Sequence, residues 1–409
     1  MNAVSRSKRL IVTLLVLALG AALAAATATA GPKFSGAQIG IAGLEGAVAQ
    51  GGPDFMDGMR VAVSDLNSTG GINGRKISLK LFPTGGTPEG AASAYRQAAS
   101  NKQIVGAFLG AGGALAVRAL SPTVKMPFIA ASGNDAIDRP ISKYVFSNSA
   151  GYEYATSSLV YAVQKLGVKS VAALHYDTDF SQQIGSALTN RCKTLGCTVT
   201  DVESASAGAS VDQLIPQLTK MKDSKADAYY IESLNPNAMA AARQLGMFDK
   251  PVIAEQWLTV PGLAIACADN CKGVVFGAHK CVDRAVLPAS DPVVAICKKY
   301  VASWEKYFQG KKAYSQFSIY GRDAVYTFAA AARAVLDAKK PLTREIVVNA
   351  MEHFNGALVT THGKILTSPK NHRLTGTWHE AYVDTVVTVK GGVPSWMPAP
   401  KADLAGATP

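Results

Sequence analysis

From Phe34 onward, short apolar runs alternate with segments whose apolar residues recur every three or four positions. Residues 38–42 predict a short buried strand. Residues 54–67 put Phe55, Met59, Ala62, Val63 and Leu66 on one helical face, and Gly70 with Gly71 closes it. A period-two strand follows over 76–82, then a helix over 89–102, a strand over Ile104–Leu109, a helix over 114–123 and a strand over 126–131. The pattern then begins again. Helices are expected over 155–166, 181–195 and 211–222, the last despite Pro216. Strands are expected over 170–175, 197–202 and 226–231. Asn235 offers a capping side chain ahead of Pro236, which suits a first helical turn, so a helix should run from there to Gly246. Val252–Ala254 is the next strand. Three long helices (291–308, 317–338, 343–354) and a last strand (381–390) complete the series. Strands alternating with helices mean βαβ units, and hence parallel sheets covered on both faces. With 409 residues, two domains are expected. No linker separates the halves, so the chain should cross several times between two lobes.

The first thirty residues stand apart. Arg6, Lys8 and Arg9 precede a run from Leu10 to Leu19 interrupted only by Thr13, and an Ala-rich stretch ends at Ala28, Thr29 and Ala30. A basic start, a short apolar stretch and small residues at −3 and −1 read as a signal peptide over 1–30. Ten strongly apolar residues fall short of the ~20 that span a bilayer, so an uncleaved anchor is the weaker reading. The mature chain is therefore expected to be exported and soluble in the periplasm.

Charge adds little to this picture. The formal net charge is +12, but three of the positives lie in that leader, which holds no acid. The remaining positives are scattered, with no run longer than a Lys-Lys pair. Nucleic-acid binding needs a focused basic face, and none is apparent. Only 17% of residues are charged and 48% are hydrophobic, which excludes a disordered or low-complexity chain.

Export gives the six cysteines a meaning. An even set in an oxidising compartment suggests disulfides, and neighbour with neighbour is the expected pairing: Cys192–Cys197, Cys267–Cys271 and Cys281–Cys297. A metal site from Cys267, Cys271, His279 and Cys281 is the alternative, with suitable ligand chemistry but no tight C-x-x-C pair. No cofactor or metal is otherwise expected. Catalytic motifs are missing too: there is no H-E-x-x-H, no phosphate-binding G-x-x-x-x-G-K-[ST] and no G-x-S-x-G. Gly110, Ala111, Gly112 and Gly113 follow a strand without full G-x-G-x-x-G spacing. That leaves a tight turn with close helix packing, or backbone amides bared to a small anion. The chain reads as a binder and not an enzyme.

Three stretches carry a resemblance: residues 34–53 (FSGAQIGIAGLEGAVAQGGP), 70–77 (GGINGRKI) and the helix at 89–97. They resemble the amino-terminal lobe of the type I periplasmic solute-binding proteins, nearest the leucine/isoleucine/valine-binding group of transport receptors. Residues 160–185, 226–246 and 252–257 resemble its second lobe. The resemblance implies an α/β fold of two Rossmann-like lobes joined by three crossings. Lobe one would be 31–148 plus 277–378, and lobe two 149–276 plus 379–409. It also implies a receptor, expected to be monomeric, that closes on a small organic solute and hands it to an inner-membrane ABC permease. Candidate solutes are an amino acid, an amide or an aromatic carboxylate. A periplasmic sensing subunit signalling through a membrane partner is the alternative.

The resemblance also points to site residues. The loop that gives hydroxyls and amides to a solute carboxylate matches 110–114, where Gly112 and Gly113 offer only backbone. The next, hydroxyl-bearing loop matches Ser132 and Asn134, although Asn134 is equally suited to capping the following helix. An aromatic that commonly covers the solute aligns near Gly51, which enlarges the pocket or changes its floor. In lobe two an aromatic matches Phe180, and the acid that holds an amino group falls at Glu255 or Gln256. Ser233, with Glu232 before it, lies just past a strand at the cleft mouth. Trp257 is read as stacking on solute or as packing between lobes, and at least one of Tyr229 and Tyr230 as core.

Overall fold

Strand β1 (Ile39–Glu45) is buried from Ile39 to Leu44, as a strand covered on both faces must be. In the computed structural model the described residues are 36–46, 51–110, 112–149, 155–178, 181–279, 281, 289–375, 382–390 and 393–398. The leader read at 1–30 lies outside them. After β1 come α1 (Gly52–Ser68), β2 (Ile77–Pro83), α2 (Pro88–Ser100), β3 (Ile104–Leu109), α3 (Ala114–Val124), β4 (Phe128–Ala130) and β5 (Val145–Ser147). The five strands form one parallel sheet in the order β2-β1-β3-β4-β5.

The unit then repeats: α4 (Ser157–Leu166), β6 (Ser170–Tyr176), α5 (Ile184–Leu195), β7 (Thr198–Ala205), α6 (Val211–Asp223), β8 (Ala228–Ile231), α7 (Pro236–Gln244), β9 (Val252–Ala254), α8 (Pro261–Cys267) and β10 (Val275–Ala278). These strands are parallel in the order β7-β6-β8-β9-β10, the same winding as the first sheet. Helices α9 (Pro292–Phe308), α10 (Gln316–Asp337) and α11 (Arg344–Met351) return to the first lobe, followed by the two-stranded β11 (Val359–Thr360) and β12 (Gly363–Lys364). The chain finally re-enters the second sheet as an antiparallel hairpin, β13 (Tyr382–Lys390) and β14 (Val393–Pro398), with β13 beside β10. It thus passes between lobes three times: after β5, after β10 and before β13.

Local chemistry explains the boundaries. Asn235 accepts a hydrogen bond from the Asn237 amide (3.0 Å) ahead of Pro236, the start expected for α7. Ser210 and Gln213 form a reciprocal capping box on α6. Gly71 closes α1 by donating its N–H to Leu66 O (2.9 Å). Two glycines set the packing of lobe one. A Cβ at Gly58 of α1 would lie 1.8 Å from Ser318 O, and one at Gly321 of α10 would lie 1.9 Å from Phe55 O. Their reciprocal absence lets the two helices touch backbone to backbone, above a core containing Phe55, Met59, Phe108 and Phe328.

All three expected cysteine pairs are joined: Cys192–Cys197 between α5 and β7, Cys267–Cys271 after α8, and Cys281–Cys297 tying the second crossing to α9. Their Cα separations of 4.6, 5.6 and 5.1 Å suit a disulfide. The thiols of the alternative metal set are thereby consumed.

Candidate functional site

In an open sheet wound in this order, the loops leaving the first and third strands diverge to opposite faces and open a crevice beyond their carboxyl ends. Lobe one opens it between β1, which leads to Gly51, and β3, which leads to Gly112 and Gly113. Lobe two opens it between β6, which leads to Ser181, and β8, which leads to Glu232 and Ser233. The topology alone therefore gathers most of the expected positions at two facing strand ends.

In lobe one, Gly51 caps α1 with φ of 70°, a left-handed conformation natural to glycine, and a Cβ there would lie 2.1 Å from the Phe317 ring. Phe317, from the first turn of α10, therefore fills the space left open at Gly51. Gly113 has φ of 77° and would bring a Cβ to 2.6 Å from that of Ala91, so α2 and α3 meet closely there. Asn134 accepts from the Ala136 amide (2.9 Å) and caps a single turn, while Ser132 Oγ accepts from the Asn134 amide (3.3 Å). The capping alternative for Asn134 is the one observed. Arg373 holds this loop from the chain's return path, pairing with Asp135 (2.8 Å) and Asp138 (2.9 Å).

In lobe two, Glu255 and Glu232 are both fully buried. Glu255 accepts from Ser233 Oγ (2.8 Å), the Ser233 amide (3.0 Å) and Tyr230 Oη (3.2 Å). Glu232 accepts from Ser181 Oγ (2.6 Å) and the Tyr176 amide (3.0 Å). Burial raises the Glu232 carboxyl to about 8, with the nearby Glu255 charge adding to it. Burial likewise raises Glu255 to about 7, against the donors from Ser233 and Tyr230. Burial, reinforced by the two acids, pushes the Tyr176 and Tyr230 hydroxyls well above the usual phenol range. Tyr229 and Tyr230 are both core, as expected for at least one of them.

The lobes meet just beyond Glu255. The Trp257 ring packs edge-on against Phe317 (4.9 Å between centroids), and Phe317 stacks on Phe55 (4.8 Å). Thr259 Oγ1 donates to Gln316 Oε1 (3.2 Å) alongside. Trp257 thus takes the packing role between lobes. Its Nε1, with Gln256 Oε1, is buried and finds no hydrogen-bond partner among the described residues.

Two of the crossings, and the β11–β12 turn, meet at Tyr320, one turn further along α10. Asn148, past β5, donates to Tyr320 O (2.9 Å). His279, past β10, meets the Tyr320 ring edge-on (6.3 Å), and His362 between β11 and β12 stacks on it (5.2 Å). His362 Nδ1 lies 2.8 Å from Asp323, which also takes Arg322 and Thr361. Burial opposes ionisation of Asp323, but Arg322, His362 and Thr361 outweigh it and hold its carboxyl well below the usual range.

The structure therefore brings Ser233 onto Glu255, with Gln256 adjacent, and Ser132 onto Asn134. It places Gly51 against Phe317, and Gly112 and Gly113 at the start of α3. Phe180 lies outside the described residues. Two residues escaped or were underweighted in the sequence. Glu232 carried the same signal as Glu255, an acid directly after an apolar strand; Phe317 carried none, because its neighbour Gly51 is remote in the chain. Among the described residues no group of three His, Cys, Asp or Glu could hold a metal ion, and no helix is long and apolar enough to cross a membrane.

Compared with known proteins, residues 38–391 match a family model described as periplasmic binding protein. An "amino acid binding protein" of Pseudomonas aeruginosa is 26% identical over 308 residues, covering 72% of this chain and 77% of that protein. Among solved structures, the isoleucine complex of the branched-chain amino acid transporter substrate-binding protein LivJ from Streptococcus pneumoniae superposes with a TM-score of 0.72 at 19% identity, over 88% of this chain and 99% of that one. The leucine-binding protein LivK of Thermotoga maritima gives 0.71 at 20% identity, over 88% and 97%. An extracellular ligand-binding receptor from Rhodopseudomonas palustris gives 0.75 at 18%, over 89% and 100%.

Proposed function

The chain belongs to the periplasmic binding protein family, and from that premise we propose that it is an exported receptor that closes on a small organic solute and delivers it to an inner-membrane ABC permease. One observation supports this reading: the two sheets share one winding, and Trp257, past β9, touches Phe317 beside Gly51, past β1, so loops beyond strand ends of both lobes come together. A solute held there contacts both lobes, which is what closure requires. The proposed lobes are 31–148 plus 277–378 and 149–276 plus 379–409, with residues 1–30 as the leader. Contacts are proposed from Gly51, the amides at Gly112 and Gly113, Ser132 and Asn134 on one side. From lobe two, contacts are proposed from Phe180, Ser233, Glu255 and Gln256. Amino acids, amides and aromatic carboxylates are the proposed solutes; the amino-acid-binding relative supports the first. The family consists of binding proteins, which supports a receptor over a catalyst.

A thermal-shift screen of residues 31–409 against small acids, amines and aromatics tests the reading, since a ligand of the native form raises the melting point by mass action. The expected hit also compacts the protein in X-ray scattering. Melting and scattering that stay flat across the whole panel would overturn it.

A further inference from the structure

Adjacent strands β8 and β9 are each followed directly by a glutamate. Their register sets Tyr229 against Val252 and Tyr230 against Ile253, so continuing it sets Glu232 opposite Glu255. Neighbouring strands lie about 4.8 Å apart. Both acids are fully buried, and every donor they receive is neutral: Ser181, Ser233, Tyr230 and the amides of Tyr176 and Ser233. No lysine, arginine or histidine pairs with either acid among the described residues.

The described surroundings add no positive charge. The titratable groups facing the pair are Tyr176 from β6 and Tyr230 from β8, both phenols. Helix α4, packed on β9, contributes a hydroxyl, Ser158 Oγ, which donates to Ala254 O (2.6 Å). From lobe one, α10 brings the amide of Gln316 to Thr259 and the ring of Phe317 to Trp257. Two buried carboxylates that face each other without a cation cannot both ionise at ordinary cost, so the pair retains a proton. The upward displacement of both carboxyls agrees with this. Yet this pair, with no cation partner among the described residues, lies at the strand ends where the receptor reading puts the solute, and Glu255 is two residues from the ring that meets the other lobe.

We propose that Glu232 and Glu255 form a proton-exchanging subsite for the cationic end of the solute. An ammonium or guanidinium group enters beside the pair, one carboxyl O–H breaks, and its proton passes to solvent while the electron pair stays on the carboxylate that then faces the cation. This rests on the receptor reading above and deepens it. The resemblance supplies a single acid for an amino group; the structure sets a second one opposite it and couples binding to a proton. Because cation and proton compete for the same carboxylates, affinity rises with pH until the free protein has lost that proton.

Calorimetric titration of residues 31–409 at about pH 6 and about pH 8.5 tests this, and about a tenfold gain in affinity is expected across that interval for a one-proton exchange. The probes are L-leucine, L-arginine and agmatine, which carry a cation, and 4-methyl-2-oxopentanoate and benzoate, which do not. The heat of binding should also vary with the ionisation enthalpy of the buffer. In Glu232→Gln and Glu255→Gln affinity for the cationic probe should fall, and in the double variant the pH dependence should vanish; wild-type proton release carries the test if a variant fails to fold. Cationic probes that bind equally at both pH values overturn the proposal. Binding of the oxo acid or benzoate alone also overturns it while leaving the receptor reading intact. Binding of no probe, with no hit in the wider screen, removes both.

Discussion

At Gly58 and Gly321 a single methyl group separates tolerance from damage. The atoms in the way are backbone carbonyls, Ser318 O and Phe55 O, which no rotamer change can move aside. Gly58→Ala and Gly321→Ala should each cost about 1–3 kcal/mol, the usual range for overpacking, read as a lowered urea midpoint. Both lie in helices, so a solvent-exposed glycine would have gained from the same change. At Glu232 the effect depends on pH. Its folded carboxyl is raised above its unfolded value, so the native state holds more protons between about 4.5 and about 8. Its contribution is fully present below that window and is lost as pH rises through it. Glu232→Gln should therefore gain stability relative to the wild type as pH rises from 5 to 8, by about 1–3 kcal/mol. Melting curves at both pH values would show it; a gap that stays constant with pH contradicts the buried-proton account.

Elements differ in how far the chain announces them. Helix α1 was legible because five apolar residues fall on one face and two glycines end it. Helix α7 was legible from Asn235 and Pro236. Strands β5 and β10 were not: three or four residues are too few to establish a period, and Gly277 interrupts the apolar run of the second. Helix α8 was missed for the same reason, being only seven residues long. The second crossing depends on a covalent tie where regular structure is short. Cys281–Cys297 closes a 16-residue separation that a polymer estimate values at about 3 kcal/mol. Replacing both cysteines by serine should lower stability by roughly that amount in chemical denaturation and leave the far-UV spectrum of the folded protein unchanged.

Across the whole molecule, α10 serves both lobes. Its first turn meets Trp257 and Thr259 of lobe two, and its second receives the first two crossings at Tyr320, through Asn148 and His279. Under the proposed receptor reading, closure would turn the lobes about this helix while each sheet stays intact. The Trp257–Phe317 contact then biases how far the cleft is shut. Trp257→Ala should loosen it, expanding the unliganded protein in X-ray scattering and weakening solute binding. A double-mutant cycle with Phe317→Ala should give a coupling of about 0.5–1.5 kcal/mol, typical of an edge-to-face aromatic pair. Coupling near zero would mean that the two rings merely abut.

Local pattern in the sequence was enough to set the alternation of strands and helices and to make neighbour-with-neighbour the expected cysteine pairing, while the shortlist of loop residues at strand ends came from the family resemblance. The alternation and the pairing depend on residues a few positions apart, where periodicity and chain proximity act directly. Only the tertiary structure decided that Glu232 lies opposite Glu255, that Phe317 occupies the space beside Gly51 and that two crossings meet at Tyr320. Register and long-range contact arise when distant segments are brought together and held by burial of apolar surface, and no local spacing encodes which partner will be met.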